Sequence, residues 1–421
     1  MKPLVTLPPA LRHRRFAMLW LGMLISVAGS QMQLWSLFWH IRTLTDQPAA
    51  VSGIGAARVI PVVAFSLIAG VVADRFNRRK LLFLTQSILA GVAVCLSLLT
   101  WSGDIQLWHI YLLTAVQASA QAFDQPARQS LVPNLVPRAD LANAFSVQSI
   151  AFDLGSIFGP MLSGLVIASL GLQAVYLINA ISFGAVILAL IFMGPVAQTG
   201  TPETNRERRA VSWTAIKEGV QYILHQPIIL SSMLLDFWAT FFSSANTLLP
   251  FVAIDILHVG EVEYGWLSAA QSIGAVLAAL VISQRHGLRR QGSLLLGAVM
   301  LFGAATILFG VSRVFWLTML ALVLVGAADS VSTILRNTIR QIQTPDHLRG
   351  RMVSVNQIFF MGGPQLGEIE SGLVAQAFGV PAAIISGGVG CILAAGWIGA
   401  RWKQLRRYDG AEHASVPAPA S

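Results

Sequence analysis

Charged residues are scarce in this sequence. Aspartate, glutamate, lysine and arginine make up 11% of its 421 residues, whereas soluble globular chains contain about 25%. So few charges could not cover a water-exposed particle of this size, and an intrinsically disordered chain would need more of them. The mean hydropathy is +0.67, and apolar runs long enough to cross a bilayer recur from Phe16 almost to the C-terminus. The composition therefore excludes a soluble protein and predicts an all-α polytopic membrane protein.

Cysteine and clustered histidine are also lacking. The two cysteines, Cys95 and Cys391, lie in apolar runs, which is typical of small buried hydrophobic residues. The eight histidines are scattered, without the clustering that a metal site or a membrane-embedded acyl or lipid transferase would need. No Walker loop is present, which argues against direct use of ATP. We expect no cofactor, no metal, and the proton gradient as the energy source.

Basic residues exceed acidic ones, giving a net charge of +9. In a membrane protein such an excess indicates cytoplasmic loops rather than nucleic-acid binding. Reading the apolar runs gives twelve spans, so both termini fall on one side of the membrane. Of the 28 lysines and arginines, all but Arg42, Arg58 and Arg313 fall on that side. We therefore expect a multi-pass membrane protein with both termini in the cytoplasm, and no removable signal peptide.

The longest polar stretch divides the spans into two sets of six. The expected organisation is a cytoplasmic N-terminus (1–15), a first six-helix half (16–194), a cytoplasmic linker with an amphipathic helix (195–227), a second six-helix half (228–400) and a cytoplasmic tail (401–421). A shift of 208 residues aligns the segments after Arg128 and Arg336 without gaps, matching Gly155 with Gly363 and Gly159 with Gly367. This repeat predicts two pseudo-symmetric halves, with the substrate site between them near the bilayer midplane.

Two motifs resemble those of the major facilitator superfamily. Residues 70–80 (GVVADRFNRRK) resemble the loop after the second span, with Asn77 where a glycine is common. Gly155, Gly159, Pro160 and Gly164 in span five are similar to the antiporter motif, with Ser163 in place of a usual glycine. Residues 126–133, 345–351 and 364–370 resemble the branch that contains enterobactin exporters and macrolide-type efflux proteins. The resemblance implies the twelve-helix major facilitator fold and a secondary active transporter of the bacterial inner membrane.

The resemblance also implies gates, because it places spans two and eleven side by side across the two halves. A cytoplasmic gate would consist of Asp74, Arg75, Arg78 and Arg79, where the carboxylate meets the arginines and a helix N-terminus. The alternative is a basic loop that only sets the topology. Arg58 and Glu368 lie at similar depth, and we expect them to form an outer gate pair. Alternatively, each contacts a different neighbour.

Intramembrane carboxylates are costly and usually mark a pathway or a partner. Asp153, Asp236 and Glu368 are candidates for carrying the coupled proton, and the sequence does not choose among them. Polar stripes run along spans one, four, seven and ten, which line the cavity in the resembled fold. They predict a substrate site formed by Gln33, Trp35, Gln117, Gln121, Asp236, Thr240 and Asp329. Hydrogen bonding between helices is the alternative for the polar stripes, as tight helix packing is for the glycine motif.

The leading hypothesis is a proton-coupled exporter of a siderophore-like or other amphiphilic small molecule, working by alternating access. A multidrug or macrolide efflux pump, a solute importer and, from another class, a membrane-embedded enzyme are the alternatives. The expected partners are a small-molecule substrate and the lipid bilayer, with an outer-membrane efflux channel as an optional one. We expect no nucleic acid, and a monomer.

The topology can be tested by cysteine labelling in a variant that lacks Cys95 and Cys391. A thiol introduced by Ser415→Cys should resist a membrane-impermeant reagent in intact cells and react once the cells are opened. Arg313→Cys, on the predicted outer side, should react in intact cells. Labelling of Ser415→Cys in intact cells, or protection of Arg313→Cys from the reagent, would contradict the twelve-span topology.

Overall fold

The computed structural model describes residues 8–196, 221–285 and 289–410, which contain helices and no β-strand. A short helical turn, Pro9–Arg12, precedes the long helices. The helices are α1 (Arg14–Leu44), α2 (Ala49–Arg75), α3 (Arg78–Ser102), α4 (Leu107–Leu131), α5 (Leu141–Leu170), α6 (Leu172–Met193), α7 (Pro227–Ser243), α8 (Glu261–Ser283), α9 (Gln291–Val311), α10 (Phe315–Gln343), α11 (Asp346–Phe378), α12 (Val380–Arg401) and α13 (Lys403–Arg407). Most of the predicted amphipathic linker helix lies outside the described residues.

Nine helical stretches of the described chain are long and apolar enough to cross a membrane. They contain α1, α3, α5 to α10 and α12, and one of them extends α7 to Ile256. The prediction of an all-α multi-pass protein is therefore confirmed. Helices α2, α4 and α11, of 27, 25 and 33 residues, are not among the nine. The number of twelve spans stays a prediction.

The chain divides into two compact units. Unit one comprises Met1–Arg209 with His258–Ala269, and unit two comprises Ala210–Leu257 with Ala270–Ser421. The first turns of α8 thus belong to unit one, although they follow the linker in the sequence.

Unit one is organised around α1, which contacts α5 and α6, while α3 packs against α4 and α6. Its apolar core includes Phe16, Leu82, Leu131 and Leu190, all at most 1% exposed. Burial of such side chains stabilises each by about 1.5–3 kcal/mol relative to exposure to water, which holds these helices together.

The glycine motif of span five packs against α1. A Cβ at Gly159 would lie 2.6 Å from Cβ of Gln31 and 2.8 Å from the carbonyl oxygen of Ala28. One turn further on, the hydroxyl groups of Ser163 and Ser36 are 2.7 Å apart. In unit one this stripe is therefore a close helix contact of the kind that small residues allow in lipid.

Gly164 lies outside that stripe and meets α8. A Cβ there would overlap the carbonyl oxygen of Glu261, and a Cβ at Gly265 would lie 2.9 Å from the carbonyl oxygen of Pro160. The motif thus supports two helix crossings within unit one, one with α1 and one with the first turns of α8.

Unit two has α9 packed against α10 and α12, and α7 packed against α11 and α12. Gly363 and Gly367, which the repeat aligns with Gly155 and Gly159, lie against α7. A Cβ at either would overlap atoms of that helix or of the turn after it. The aligned glycines therefore serve the same purpose in each unit, a close approach of two backbones.

Replacing Gly159 by alanine should destabilise the protein, because the new methyl group has no room against Ala28 and Gln31. We expect a loss of about 1–3 kcal/mol, typical of overpacking, measured as a lower midpoint of thermal unfolding in detergent. Gly184→Ala in α6 is the matched control, since no atom of the described residues lies within 4 Å of its Cβ position. Equal midpoints for the two variants would contradict the packing of α5 on α1.

Candidate functional site

Unit two holds a cluster of ionisable side chains from α7 and α10. Asp236 is 3% exposed, and Arg336 and Arg340 are each 2% exposed. Nη2 of Arg340 lies 2.9 Å from Oδ2 of Asp236, and Nη2 of Arg336 lies 3.1 Å from Oδ1 of the same carboxylate. Asp329 completes the cluster with Oδ1 at 3.7 Å from Nη2 of Arg336. Two cations and two carboxylates therefore meet at one place.

Helix α10 extends beyond the apolar run of the tenth span. It continues to Gln343 and buries Arg336 and Arg340, which the charge pattern assigns to the cytoplasmic side. The helix continues because Asp236, about a hundred residues earlier, supplies the counter-charge. A signal was present in the sequence: Asp329, Arg336 and Arg340 are spaced by seven and four residues, which places them on one helical face.

Every nitrogen of the Arg340 guanidinium donates a hydrogen bond. Its Nε donates to the hydroxyl of Ser232 at 3.2 Å, and Nη2 donates to the carbonyl oxygen of Ser232 at 3.1 Å. Its Nη1 donates to Oδ1 of Asn356 on α11 at 2.5 Å. With Asp236 as a further acceptor, all three guanidinium nitrogens have partners. Arg340 therefore links α7, α10 and α11 as a structural cross-link.

Arg336 is held differently. Its Nη2 donates to the hydroxyl of Thr333 at 2.8 Å, but its contact with Oδ1 of Asp236 lacks hydrogen-bond geometry. Its buried Nε and Nη1 have no hydrogen-bond partner among the described residues, and neither has the buried hydroxyl of Ser332. Charge, rather than a set of hydrogen bonds, holds this guanidinium in place. It can exchange partners at a lower cost than Arg340 can.

The two carboxylates also differ. Asp236 is buried and bonded to Arg340, whereas the side chain of Asp329 is 51% exposed. Asp329 is therefore the accessible carboxylate of the cluster. A group that enters from outside can reach Asp329 without breaking the bond between Asp236 and Arg340.

In unit one, the repeat aligns Arg128 with Arg336, and Arg128 has a single acidic partner among the described residues. Arg128 pairs with Asp124, four residues earlier on α4. Asp124 also accepts from the hydroxyl of Thr85 at 2.9 Å and from Nε2 of Gln86 at 2.7 Å. This buried pair links α3 to α4 with its charge and hydrogen bonds satisfied, which indicates a structural role.

The predicted cavity residues of unit one are partly used in contacts between helices. Gln33 is 1% exposed, donates to Oε1 of Gln117 at 2.7 Å and accepts from Nδ2 of Asn179 at 2.7 Å. Asn179 on α6 is absent from the predicted set because its partners lie on other helices. At Gln33 the structure agrees with the alternative of interhelical hydrogen bonding, whereas Gln121 is exposed on α4.

Trp35 is partly buried beside the first turns of α8. Its carbonyl oxygen accepts from the hydroxyl of Tyr264 at 2.8 Å, and the two rings meet edge to face at 6.4 Å. Further along α1, a ring nitrogen of His40 lies 2.9 Å from the hydroxyl of Tyr176 on α6. Sequence reasoning missed Tyr264, His40 and Tyr176, because nothing in the chain shows which helices face each other.

The gate residues are placed as follows. The side chains of Asp74 and Arg75 lie outside the described part of the structure. Arg78 donates to the carbonyl oxygen of Ser130 at 2.8 Å, and Arg79 donates to that of Leu190 at 2.7 Å. These bonds connect the start of α3 to the ends of α4 and α6 within unit one. The cytoplasmic gate stays a prediction.

The remaining charged intramembrane candidates lie on other helices than the cluster. Arg58 is half-buried on α2 in unit one, and Glu368 is 5% exposed on α11 in unit two, so their pairing also stays a prediction. Asp153 is exposed on α5. Thr240 donates back to the carbonyl oxygen of Asp236 at 2.8 Å, which places it one turn from the cluster on α7.

Removing the charge of Asp236 should destabilise unit two, because two buried arginines would lose their shared counter-charge. We expect Asp236→Asn to cost about 3–5 kcal/mol, seen as a lower unfolding midpoint and less folded protein in detergent. The double variant Asp236→Asn with Arg340→Gln should recover part of that loss, since it restores the balance of charge. Asp153→Asn is the control on an exposed carboxylate. No difference between Asp236→Asn and Asp153→Asn would contradict the described cluster.

Comparison with known proteins identifies relatives over nearly the whole chain. Residues 5–420 match a family model described as transmembrane secretion effector. The chain is 28% identical over 370 residues to the multidrug efflux pump Tap of Mycolicibacterium fortuitum, covering 85% of this chain and 88% of Tap. It is 28% identical over 324 residues to the enterobactin exporter EntS of Citrobacter koseri, covering 76% of each protein.

Solved structures show the fold. A bacterial homolog of the human lysosomal transporter Spinster matches with a TM-score of 0.74 and 16% sequence identity, covering 99% of this chain and 100% of that one. The family match, the relatives and the helical, membrane-spanning architecture agree with one another. The chain belongs to the transmembrane secretion effector family of the major facilitator superfamily and is a multi-pass membrane transporter.

Proposed function

We propose that this transporter is an exporter that uses the proton gradient to expel an amphiphilic small molecule across the bacterial inner membrane. Relatives named as an efflux pump and as an exporter support the direction of transport. The cluster of Asp236, Arg336, Arg340 and Asp329 supports the coupling. The proposal includes the predicted twelve spans in two halves, with both termini in the cytoplasm.

One observation carries the coupling: an accessible carboxylate lies beside a buried arginine that is incompletely hydrogen-bonded. Asp329 is half-exposed and 3.7 Å from Arg336, whose Nε and Nη1 have no partner among the described residues. Asp236 and Arg340 form the fixed part of the cluster. When Asp329 takes up a proton, Arg336 can still rely on the charge of Asp236. Asp329 is therefore the exchangeable group in the proposal.

The direction of coupling constrains the substrate. A substrate that presents a positive charge or a hydrogen-bond donor to Asp329 competes with the proton, because both need the ionised carboxylate. Such competition links substrate efflux to proton influx, as export requires. An anionic substrate would instead bind Arg336 better when Asp329 is protonated, and proton and substrate would then move together. The proposal therefore favours cationic or donor-rich amphiphiles.

The cycle follows from this competition. On the cytoplasmic side the substrate binds the ionised Asp329, and on the outer side a proton displaces it. The protonated, empty form then returns to the cytoplasmic side, where the proton leaves. For a neutral substrate, one proton moving through 100 mV supplies about 2.3 kcal/mol, which supports roughly a 50-fold substrate gradient. Exchange of one proton for a singly charged cation moves no net charge, so the pH difference alone drives it, by about tenfold per pH unit.

The relatives suggest two substrate classes. EntS is named for enterobactin, and Tap is named as a multidrug pump. A siderophore-like molecule is our leading candidate, and amphiphilic drugs are the second, favoured by the similarity to Tap over 88% of that protein. Parallel assays with enterobactin and with ethidium distinguish the two. An importer would accumulate the same probes in right-side-out rather than inside-out vesicles.

The coupling can be tested with purified protein in lipid vesicles that are acidic inside. We expect the wild type to accumulate ethidium or enterobactin only while the pH gradient lasts. Its apparent affinity at equal pH should weaken on acidification by up to about tenfold per pH unit, as competition with one proton requires. Asp329→Asn should lose uphill accumulation, and the substrate binding that remains should be weak and independent of pH, because the amide mimics the protonated, substrate-free form.

Asp153→Asn is the matched control, since it removes another exposed carboxylate from a membrane helix. It should accumulate substrate like the wild type. Unchanged accumulation by Asp329→Asn would show that the proton is carried elsewhere. Accumulation by the wild type that ignores the pH gradient would overturn proton coupling altogether.

A further inference from the structure

The end of the described chain is fastened to the start of α9 in unit two. The backbone N–H of Gly292 donates to the carbonyl oxygen of Tyr408 at 3.0 Å, and the hydroxyl of Ser293 donates to that of Arg406 at 2.8 Å. Leu405 and Tyr408 are buried beneath this contact. A Cβ at Gly292 would overlap the carbonyl oxygen of Leu405, so the two backbones approach as closely as glycine allows.

A carboxylate fixes the same contact from the other side. Asp409 accepts from the backbone N–H of Arg290. Arg290 has a φ of 54°, in the left-handed region that residues other than glycine rarely adopt. The bond from Asp409 helps to hold this conformation. The region of α13 is therefore a built part of unit two, with a defined position beside the loop before α9.

This contact brings two sets of exposed cations together. Arg401, Lys403, Arg406 and Arg407 are exposed around α13, and Arg285, Arg289 and Arg290 are exposed before α9. In segments 285–293 and 397–410 the single carboxylate is Asp409, which is occupied by the backbone of Arg290. We call this set of seven exposed cations the basic surface. Asp409 offsets one of these seven charges, so the basic surface keeps a large positive excess.

Two indoles indicate the depth of the basic surface. Trp397, 55% exposed, lies in the last turns of α12, the helix that qualifies as a membrane span up to Arg401. The ring of Trp402 meets it edge-on at 5.4 Å, and the guanidinium of Arg401 lies 5.6 Å above the ring of Trp402. Tryptophan concentrates at the level of the lipid headgroups. The cations that follow in the sequence therefore lie at the same level.

From this arrangement we infer that the basic surface binds the headgroups of anionic lipids. Each lysine or arginine near an anionic leaflet strengthens attachment measurably, and the effect adds up over a cluster. Two N–H groups of one arginine guanidinium can also donate to two oxygens of the same phosphate. A lipid is favoured over a soluble anionic partner, because the cations surround the end of a membrane span and the adjoining indoles belong at the membrane surface. Binding would hold the end of α12 and the start of α9 to the bilayer.

The test uses the full-length protein in a non-ionic detergent, titrated with cardiolipin or with phosphatidylcholine. We expect cardiolipin, and not phosphatidylcholine, to raise the unfolding midpoint, and the shift to shrink at high salt because exposed charges are screened. The triple variant Lys403→Glu, Arg406→Glu, Arg407→Glu should raise the cardiolipin concentration needed for half of the shift by at least about tenfold. The corresponding glutamine variant should raise it less. Because glutamine removes the charge without reversing it, this variant separates loss of binding from misfolding of α13.

The control reverses three exposed cations at the other end of the chain, Arg12→Glu, Arg14→Glu and Arg15→Glu. It should keep the cardiolipin shift. Equal losses in both triple variants would mean a general effect of net charge and would overturn the site. So would an equal shift with phosphatidylcholine, or reproduction of the full shift by inorganic phosphate alone.

Discussion

Charge balance inside a low-dielectric interior is the constraint on which unit two depends. Removing an ion from water costs several kcal/mol even after the protein relaxes, and a buried ion pair is tolerated only when geometry and hydrogen bonds repay that cost. Asp236 meets this condition by serving two arginines at once, while Ser232 and Asn356 complete the bonding of Arg340. The relative positions of α7, α10 and α11 follow from these contacts. The same balance determines which carboxylate can change its charge without breaking the fold.

The aligned arginines Arg128 and Arg336 have different partners in the two units. Arg128 has its own acid four residues earlier, and that acid is saturated by Thr85 and Gln86. The position that corresponds to Asp124 in the second copy is Ser332, whose hydroxyl is buried without a partner among the described residues. Without a local acid, Arg336 depends on Asp236 and Asp329. The aligned glycines pack helices closely in each unit, so the two units share this packing and differ in how the aligned arginine is neutralised.

The sequence predicts what depends on composition and on periodicity along one helix. Hydropathy was sufficient for the all-α membrane-spanning class, whereas the spacing of Gly155 and Gly159 left a close helix contact as an alternative to an antiporter motif. Arg336 and Arg340 were missed because a hydropathy criterion ends a span where charge begins, and Asp236 is a partner only in three dimensions. Gln33 was correctly seen as a polar residue in an apolar helix. Its partner Asn179 lies on a helix whose facing side no local pattern reveals.

The incomplete bonding of Arg336 has an energetic consequence for any coupling at this site. An unsatisfied buried donor costs about 1–3 kcal/mol, so a guanidinium with two such donors is less tightly fixed than one with none. The free energy that a difference of one pH unit supplies per proton, about 1.4 kcal/mol, lies in the same range. A fully bonded arginine such as Arg340 would need several bonds broken before it could move, which exceeds what one proton supplies. A partly bonded arginine can be shifted by a change of charge on Asp329, and Arg340 keeps the helices in place while that happens.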